Sequence, residues 1–223
     1  MGFIEPSFMK NIGIGVVTCG IRKLNGNILK YNPVIFEDKE RKGAAYCRNM
    51  LIKQFYDEGK DYIFLFDDDC YPCIYGWQER IIDWTSKNNV HYLAGIDIKN
   101  ANILSAKGDT LICENCYIGA YFFLDRKCIE TIGYYNTEYF RYGYEDITYS
   151  RRAKAAGLLG DSEGYPFPSW MNMYIHSMDM FSENPIGNMT QEEKDNYIKI
   201  NGPVFQNEMG RINKGDYYHG FNK

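Results

Sequence analysis

The chain has 223 residues, 45% of them hydrophobic, and a formal net charge of -4, enough apolar material for one sizeable core in a single domain. No block of lysine and arginine occurs, so charge alone offers nothing to nucleic acid or to an anionic membrane surface. The opening MGFIEPSFMKN has no basic region followed by a long apolar run, and no later stretch reaches bilayer-spanning length. The expectation is a soluble, cytoplasmic protein. Seven cysteines, an odd number, without an export signal point to reduced thiols. The 20 tyrosines suit stacking on sugars or bases, and biased codon usage would produce them equally.

Ile12 to Thr18 is a β-branched apolar run closed by Cys19-Gly20 and reads as a buried first strand. A second strand is expected over Pro33 to Phe36, ending at Glu37-Asp38. Between Gly43 and Gly59 the apolar positions Ala44, Cys47, Leu51 and Phe55 recur at helical spacing, with Gly59 as the stop. This helix feeds Tyr62-Ile-Phe-Leu-Phe66, a strand that runs into Asp67-Asp68-Asp69. After Pro72, the positions Ile74, Trp77, Ile81 and Trp84 mark an amphipathic helix, followed by strands at Tyr92 to Ile96 and Tyr117 to Leu124. Strands alternating with helices predict an α/β domain with a mostly parallel central sheet flanked by helices. Ligands of such sheets bind beyond the carboxyl ends of the strands, where Thr18, Asp38 and the aspartate triplet would fall. Gly143-Tyr-Glu-Asp146 precedes a helix over Ile147 to Ala156. Met171 to His176 alternates like a short strand, and the polar stretch from Ser177 reads as a tail or lid with a short helix over Gln191 to Ile200.

The triplet carries the chemistry. On an alternating strand Asp67 and Asp69 project together and Asp68 points away. Like-charged carboxylates side by side repel unless a proton or cation lies between them, and hard oxygen ligands suit magnesium or manganese. This is the D-x-D arrangement of a nucleotide-diphosphate site; a solvated acidic turn would read the same way. Glu145 and Asp146, with Arg151, Arg152 and Lys154 toward the helix end, also complement a helix dipole. Cys70-x-x-Cys73 and Cys113-x-x-Cys116 could enclose a structural zinc, or serve as small buried hydrophobes.

In combination and in order, these pieces resemble the GT-A glycosyltransferases, most closely the β-1,4-galactosyltransferase type of inverting enzyme. The resemblance is carried by Gly119-Ala-Tyr-Phe-Phe-Leu-Asp-Arg, by Ile132-Gly-Tyr-Tyr-Asn136, by Tyr142-Gly-Tyr-Glu-Asp-Ile147 with Arg151, by Met173-x-x-His176-Ser177, and by Tyr46-Cys-Arg48-Asn49 ahead of the triplet. Tyr142 stands where that family has tryptophan and Tyr144 where it has a second glycine, and the segment from Val17 to Arg22 lacks the family's proline and first arginine. The resemblance implies a Rossmann-like GT-A catalytic domain over 1–176, with a nucleotide-sugar half at about 10–72, an acceptor half at about 90–176, and a tail or lid over 177–223. It implies a donor nucleotide sugar, a uridine diphosphate sugar by preference, a carbohydrate or other hydroxyl-bearing acceptor, and Mn2+ or Mg2+. Asp67, Asp69, Met173 and His176 would ligate the metal, and Thr18, Arg48, Asp67, Asp68, Tyr142 and Gly143 would bind the donor. Asp146 would act as base, with Glu145 orienting the acceptor or the donor sugar. A packed or surface histidine is the plain alternative for His176, and a helix-surface salt bridge for Arg48. Rival functions are a non-catalytic nucleotide-sugar or carbohydrate binder, a nucleotidyltransferase and a zinc-ribbon nucleic-acid binder.

Overall fold

A computed structural model describes residues 11–96, 101–114, 117, 119–178 and 189–221. The helices are α1 (Gly26–Leu29), α2 (Ala44–Asp57), α3 (Trp77–Lys87), α4 (Arg126–Ile132), α5 (Glu145–Ala155), α6 (Met171–Tyr174) and α7 (Gln191–Ile212). The strands are β1 (Ile12–Thr18), β2 (Val34–Glu37), β3 (Tyr62–Asp67), β4 (Cys70–Pro72), β5 (Tyr92–Gly95), β6 (Ile103–Lys107), β7 (Thr110–Cys113), β8 (Gly119–Asp125), β9 (Tyr165–Pro168) and β10 (Ile175–Ser177).

Five strands form the central sheet in the order β2-β1-β3-β8-β5. The strands β2, β1 and β3 pair in parallel, while β8 is antiparallel to both β3 and β5. Four strands therefore share one direction and β8 alone runs against them. The mostly parallel sheet expected from the alternation of elements is present, with a reversed strand that the alternation does not encode.

Side-chain alternation along β3 explains how the sheet is covered. Phe64 and Phe66 meet Trp77 of α3 edge-on, with ring centroids 4.7 and 5.5 Å away. On the opposite face α2 lies so close to β1 that a Cβ on Gly13 would sit 2.6 Å from the Phe55 ring, and one on Gly15 would sit 2.9 Å from Leu51. Both glycines are thus contact positions for the helix. Each fully buried large side chain in this sandwich contributes roughly 1.5–3 kcal/mol of hydrophobic stabilisation, and Leu51, Phe64, Phe66 and Trp77 are all buried.

Two small sheets complete the fold: β4 with β10, and β6-β7-β9. The Met171 to His176 segment differs from its expected strand, because α6 occupies Met171–Tyr174 and only Ile175–Ser177 is extended. The C-terminal helix α7 runs 22 residues, to Ile212 rather than Ile200, and contains Pro203. It is opened by a capping box in which Thr190 and Glu193 satisfy each other's backbone donors. The helix lies on α5. Arg152 and Glu208 form a buried ion pair at 3.1 Å, and Tyr144 stacks on Phe205 at 4.4 Å. Among the described residues no helix is long and apolar enough to cross a membrane.

Candidate active site

A cleft of about 520 Å³ opens at the carboxyl ends of β1 and β3. Thr18, Asp67, Asp68, Asp69, Arg48, Tyr142, Glu145 and Asp146, all singled out from sequence, line it. The triplet is split by the end of its strand. β3 stops at Asp67, so strict alternation stops there too, and Asp68 faces the cleft with its neighbours instead of pointing away from them. Thr18 Oγ1 donates to Asp68 Oδ2 at 2.7 Å, and the Arg22 guanidinium lies 3.7 Å from Asp68 Oδ1. Asp69 is buried and its Oδ2 accepts the Ser177 hydroxyl at 2.7 Å.

Arg48, on α2, is the centre of charge. It is buried, holds its guanidinium carbon 4.1 Å from the centre of the Phe122 ring, and donates to both oxygens of Asp67 at 3.0 and 3.2 Å. Its other terminal nitrogen donates to Asp146 Oδ1 and lies 3.9 Å from Glu145 Oε1. The surface salt bridge considered for it is therefore replaced by a buried bridge between the triplet and the head of α5.

One guanidinium faces three carboxylates, and the charge does not balance. Burial raises Asp146 to about 7; Arg48 opposes the shift and Glu145 adds to it. Burial likewise raises Glu145. Asp67 is raised to about 6 by burial, against the pull of Arg48. A third of the Asp67 side chain opens to the cleft, 34% against 14% for Asp146, so water screens the shift at Asp67 more effectively. Carboxylates held near neutrality in a cleft mark a functional site.

The head of α5 is built by backbone geometry. Tyr144 caps it in a left-handed conformation, φ 74°, and Gly143 before it has φ 97° and lies under Ile198 of α7. Gly119, with φ 94°, lets Asp146 lie where a Cβ would overlap its Oδ2. Asn201 of α7 donates to the carbonyls of Phe140 and Tyr142, at 3.1 and 2.8 Å.

Met173 and His176 do not line the cleft among the described residues. Met173 is 62% exposed. The strand β10 pairs with β4 directly after the triplet, His176 opposite Tyr71 and Ser177 opposite Cys70. Ser177 turns to Asp69, so His176 stands on the other face of this ribbon, its ring 5.3 Å from that of Tyr71. Among the described residues no group of three or more His, Cys, Asp or Glu side chains is gathered to hold a metal. The carboxylates of Asp67 and Asp69 fit a hard divalent cation in charge and donor type. Of the cysteines in the two C-x-x-C pairs, Cys70 and Cys113 are buried and Cys73 is exposed; Cys116 lies outside the described residues.

Sequence reasoning did not single out Glu193, Lys194 and Tyr197 of α7, or Arg41 and Arg141, which also line the cleft. The Thr190-x-x-Glu193 capping signature was the available signal for α7, and nothing local placed that helix over the cleft.

No family model and no curated protein matches the chain. Among solved structures, the chain is similar to A197 from STIV, with 14% identity and a TM-score of 0.44 over 64% of this chain and 78% of that one. It is also similar to the catalytic domain of Drosophila β1,4-galactosyltransferase 7 in complex with xylobiose, with 12% identity and a TM-score of 0.42 over 82% of this chain and 78% of that one. A glycosyltransferase involved in glycosylation of the major capsid of PBCV-1 shares 13% identity, with a TM-score of 0.31 over 64% and 68% of the two chains.

Proposed function

We propose that the chain is a metal-dependent GT-A glycosyltransferase that moves a sugar from a nucleotide-sugar donor, by preference a uridine diphosphate sugar, to an acceptor hydroxyl with inversion. The observation that carries this reading is the meeting, across buried Arg48, of the Asp67–Asp69 turn with Glu145 and Asp146 in one cleft. Inversion requires a base on the face opposite the departing diphosphate. Asp146 takes the acceptor proton, and its raised pKa suits that task near neutral pH. Glu145 orients the acceptor or donor sugar beside it. Arg48 keeps Asp67 and Asp146 at a fixed separation and prevents their repulsion from opening the site. Thr18 orients Asp68 toward the donor, and Tyr142 stands against the transferred sugar; Gly143, expected as a donor contact, does not line the cleft and serves to shape the turn into α5.

Asp67 and Asp69 are the proposed ligands of Mn2+ or Mg2+, which when bound supplies positive charge to the leaving diphosphate; Met173 and His176, expected from the resemblance as further ligands, stand outside the cleft and are not assigned to the ion. The test is a set of transfer and hydrolysis assays on a panel of nucleotide sugars with and without manganese. Manganese-dependent turnover of one donor supports the reading. Binding without turnover would instead make the chain a nucleotide-sugar-binding protein.

A further inference from the structure

The floor and the mouth of the cleft carry opposite charge. Asp67, Glu145 and Asp146 crowd around Arg48 below, while Arg41, Arg141 and Lys194 stand at the mouth. These three cations come from different parts of the chain: the loop before α2, the loop before α5, and α7. A parallel bridge between Gly43 and Arg141 ties the two loops together. Arg141 donates to the Tyr197 hydroxyl at 3.2 Å, and the Lys194 ammonium lies 5.8 Å from the centre of the Tyr142 ring.

Asp38 and Glu193 also line the cleft, and backbone amides fix both carboxylates. Asp38 accepts from the amides of Lys42 and Gly43, both at 2.8 Å, and Glu193 accepts from the Thr190 amide at 2.7 Å. Hydrogen bonds from Thr190 hold Glu193 below its usual pKa, with a smaller contribution from Arg141. Among the described residues neither Arg41 nor Lys194 forms an ion pair. A neutral sugar has no use for three cations at the mouth. An oxyanion does, since guanidinium forks grip phosphate and carboxylate oxygens in fixed geometry.

We infer that the acceptor carries an oxyanion, a phosphate or a carboxylate, gripped by Arg41, Arg141 and Lys194. The inference rests on the glycosyltransferase reading for its choice of acceptor over donor. Arg141 precedes Glu145 and Asp146 on the loop that enters α5; a base must reach the acceptor hydroxyl, so Arg141 meets the acceptor, while Tyr142 stands where the transferred sugar and the acceptor come together. On that reading the donor diphosphate lies at the Asp67–Asp69 end.

The experiment is calorimetric binding of glucose, glucose 6-phosphate and glucuronate, and separately of uridine diphosphate with manganese, to the wild type and to an R41Q/R141Q/K194Q variant. Arg41 and Arg141 are exposed and Lys194 is half-buried, and a melting curve confirms that the variant folds. The expected result is that both anionic probes bind at least about tenfold tighter than glucose, as charge-assisted hydrogen bonds allow. That preference disappears in the variant, while uridine diphosphate affinity is retained. Equal binding of the three sugars by the wild type overturns the inference. So does a variant that loses uridine diphosphate affinity and keeps its preference among the sugars. A wild type that prefers the anionic sugars but ignores uridine diphosphate defeats the glycosyltransferase reading and leaves the oxyanion site standing.

Discussion

Ser177 donates its hydroxyl to Asp69 Oδ2 at 2.7 Å across 108 residues of sequence, and this bond ties the last strand of the domain to the acidic turn. Both side chains are buried, so removing the donor takes one hydrogen bond from a desolvated carboxylate. Ser177→Ala is expected to cost about 1–3 kcal/mol of stability and to weaken manganese binding, because Asp69 loses its fixed orientation. Denaturant melts and a manganese titration of the variant check both effects.

Gly119 is the contact on which the position of Asp146 depends. An alanine there meets Asp146 Oδ2 and must also hold φ at 94°, a strain of order 1–3 kcal/mol. Gly119→Ala is expected to fold with a lowered melting temperature and to lose most transfer activity, while donor affinity, which depends on the other side of the cleft, changes little. A variant with wild-type turnover would remove Asp146 from the reacting centre.

Asp146 has a folded pKa of about 7 against an ordinary value of 3.8. The folded protein therefore holds this proton more tightly than the unfolded chain, so its contribution to stability is full below about pH 4 and is lost as pH rises through about 7. Asp146→Asn keeps a hydrogen-bond acceptor for Arg48 without the charge. It is expected to be more stable than the wild type at pH 8, with the gap closing toward pH 4, and to transfer sugar some 10²–10⁴-fold more slowly. Wild-type turnover should fall as pH drops below about 7. Melting curves and rate profiles across pH test the two statements separately.

Arg48 offsets the three acids Asp67, Glu145 and Asp146, and its own protonated form is held far above any accessible pH, Asp146 and Asp67 outweighing the effect of burial. Arg48→Ala leaves those carboxylates facing one another without a cation, a loss of about 3–5 kcal/mol by comparison with other broken buried pairs. Arg48→Lys, which retains the charge but not the fork, is expected to recover part of the stability and little of the activity. Added manganese should raise the melting temperature of Arg48→Ala more than that of the wild type, because the ion replaces the missing charge.

The elements that follow local rules were legible in the sequence. Apolar runs marked β1 and β3, helical spacing marked α2 and α3, and Gly20 and Gly59 marked the ends of β1 and α2 within two residues. The reversed direction of β8 was not legible, because a strand's apolar face is the same whichever way the chain runs. The triplet's geometry was misjudged at Asp68, since alternation holds only while the strand lasts and this one ends at Asp67. The length of α7 was hidden by Gly202-Pro203, which reads as a stop. There the helix continues because Asn201 and Glu208 anchor it to the loop of Phe140 and Tyr142 and to Arg152. Those are long-range contacts that no sequence window contains. The cleft cations Arg41, Arg141 and Lys194 were missed for the same reason.

The most direct test of the central claim is a titration of the purified protein with uridine diphosphate and manganese, repeated with Asp67→Asn and Asp69→Ala. The proposed function predicts that uridine diphosphate binds only when manganese is present and that both variants bind the ion and the nucleotide more weakly. Manganese and nucleotide affinities unchanged in both variants, or no nucleotide binding by the wild type at any manganese concentration, would contradict it.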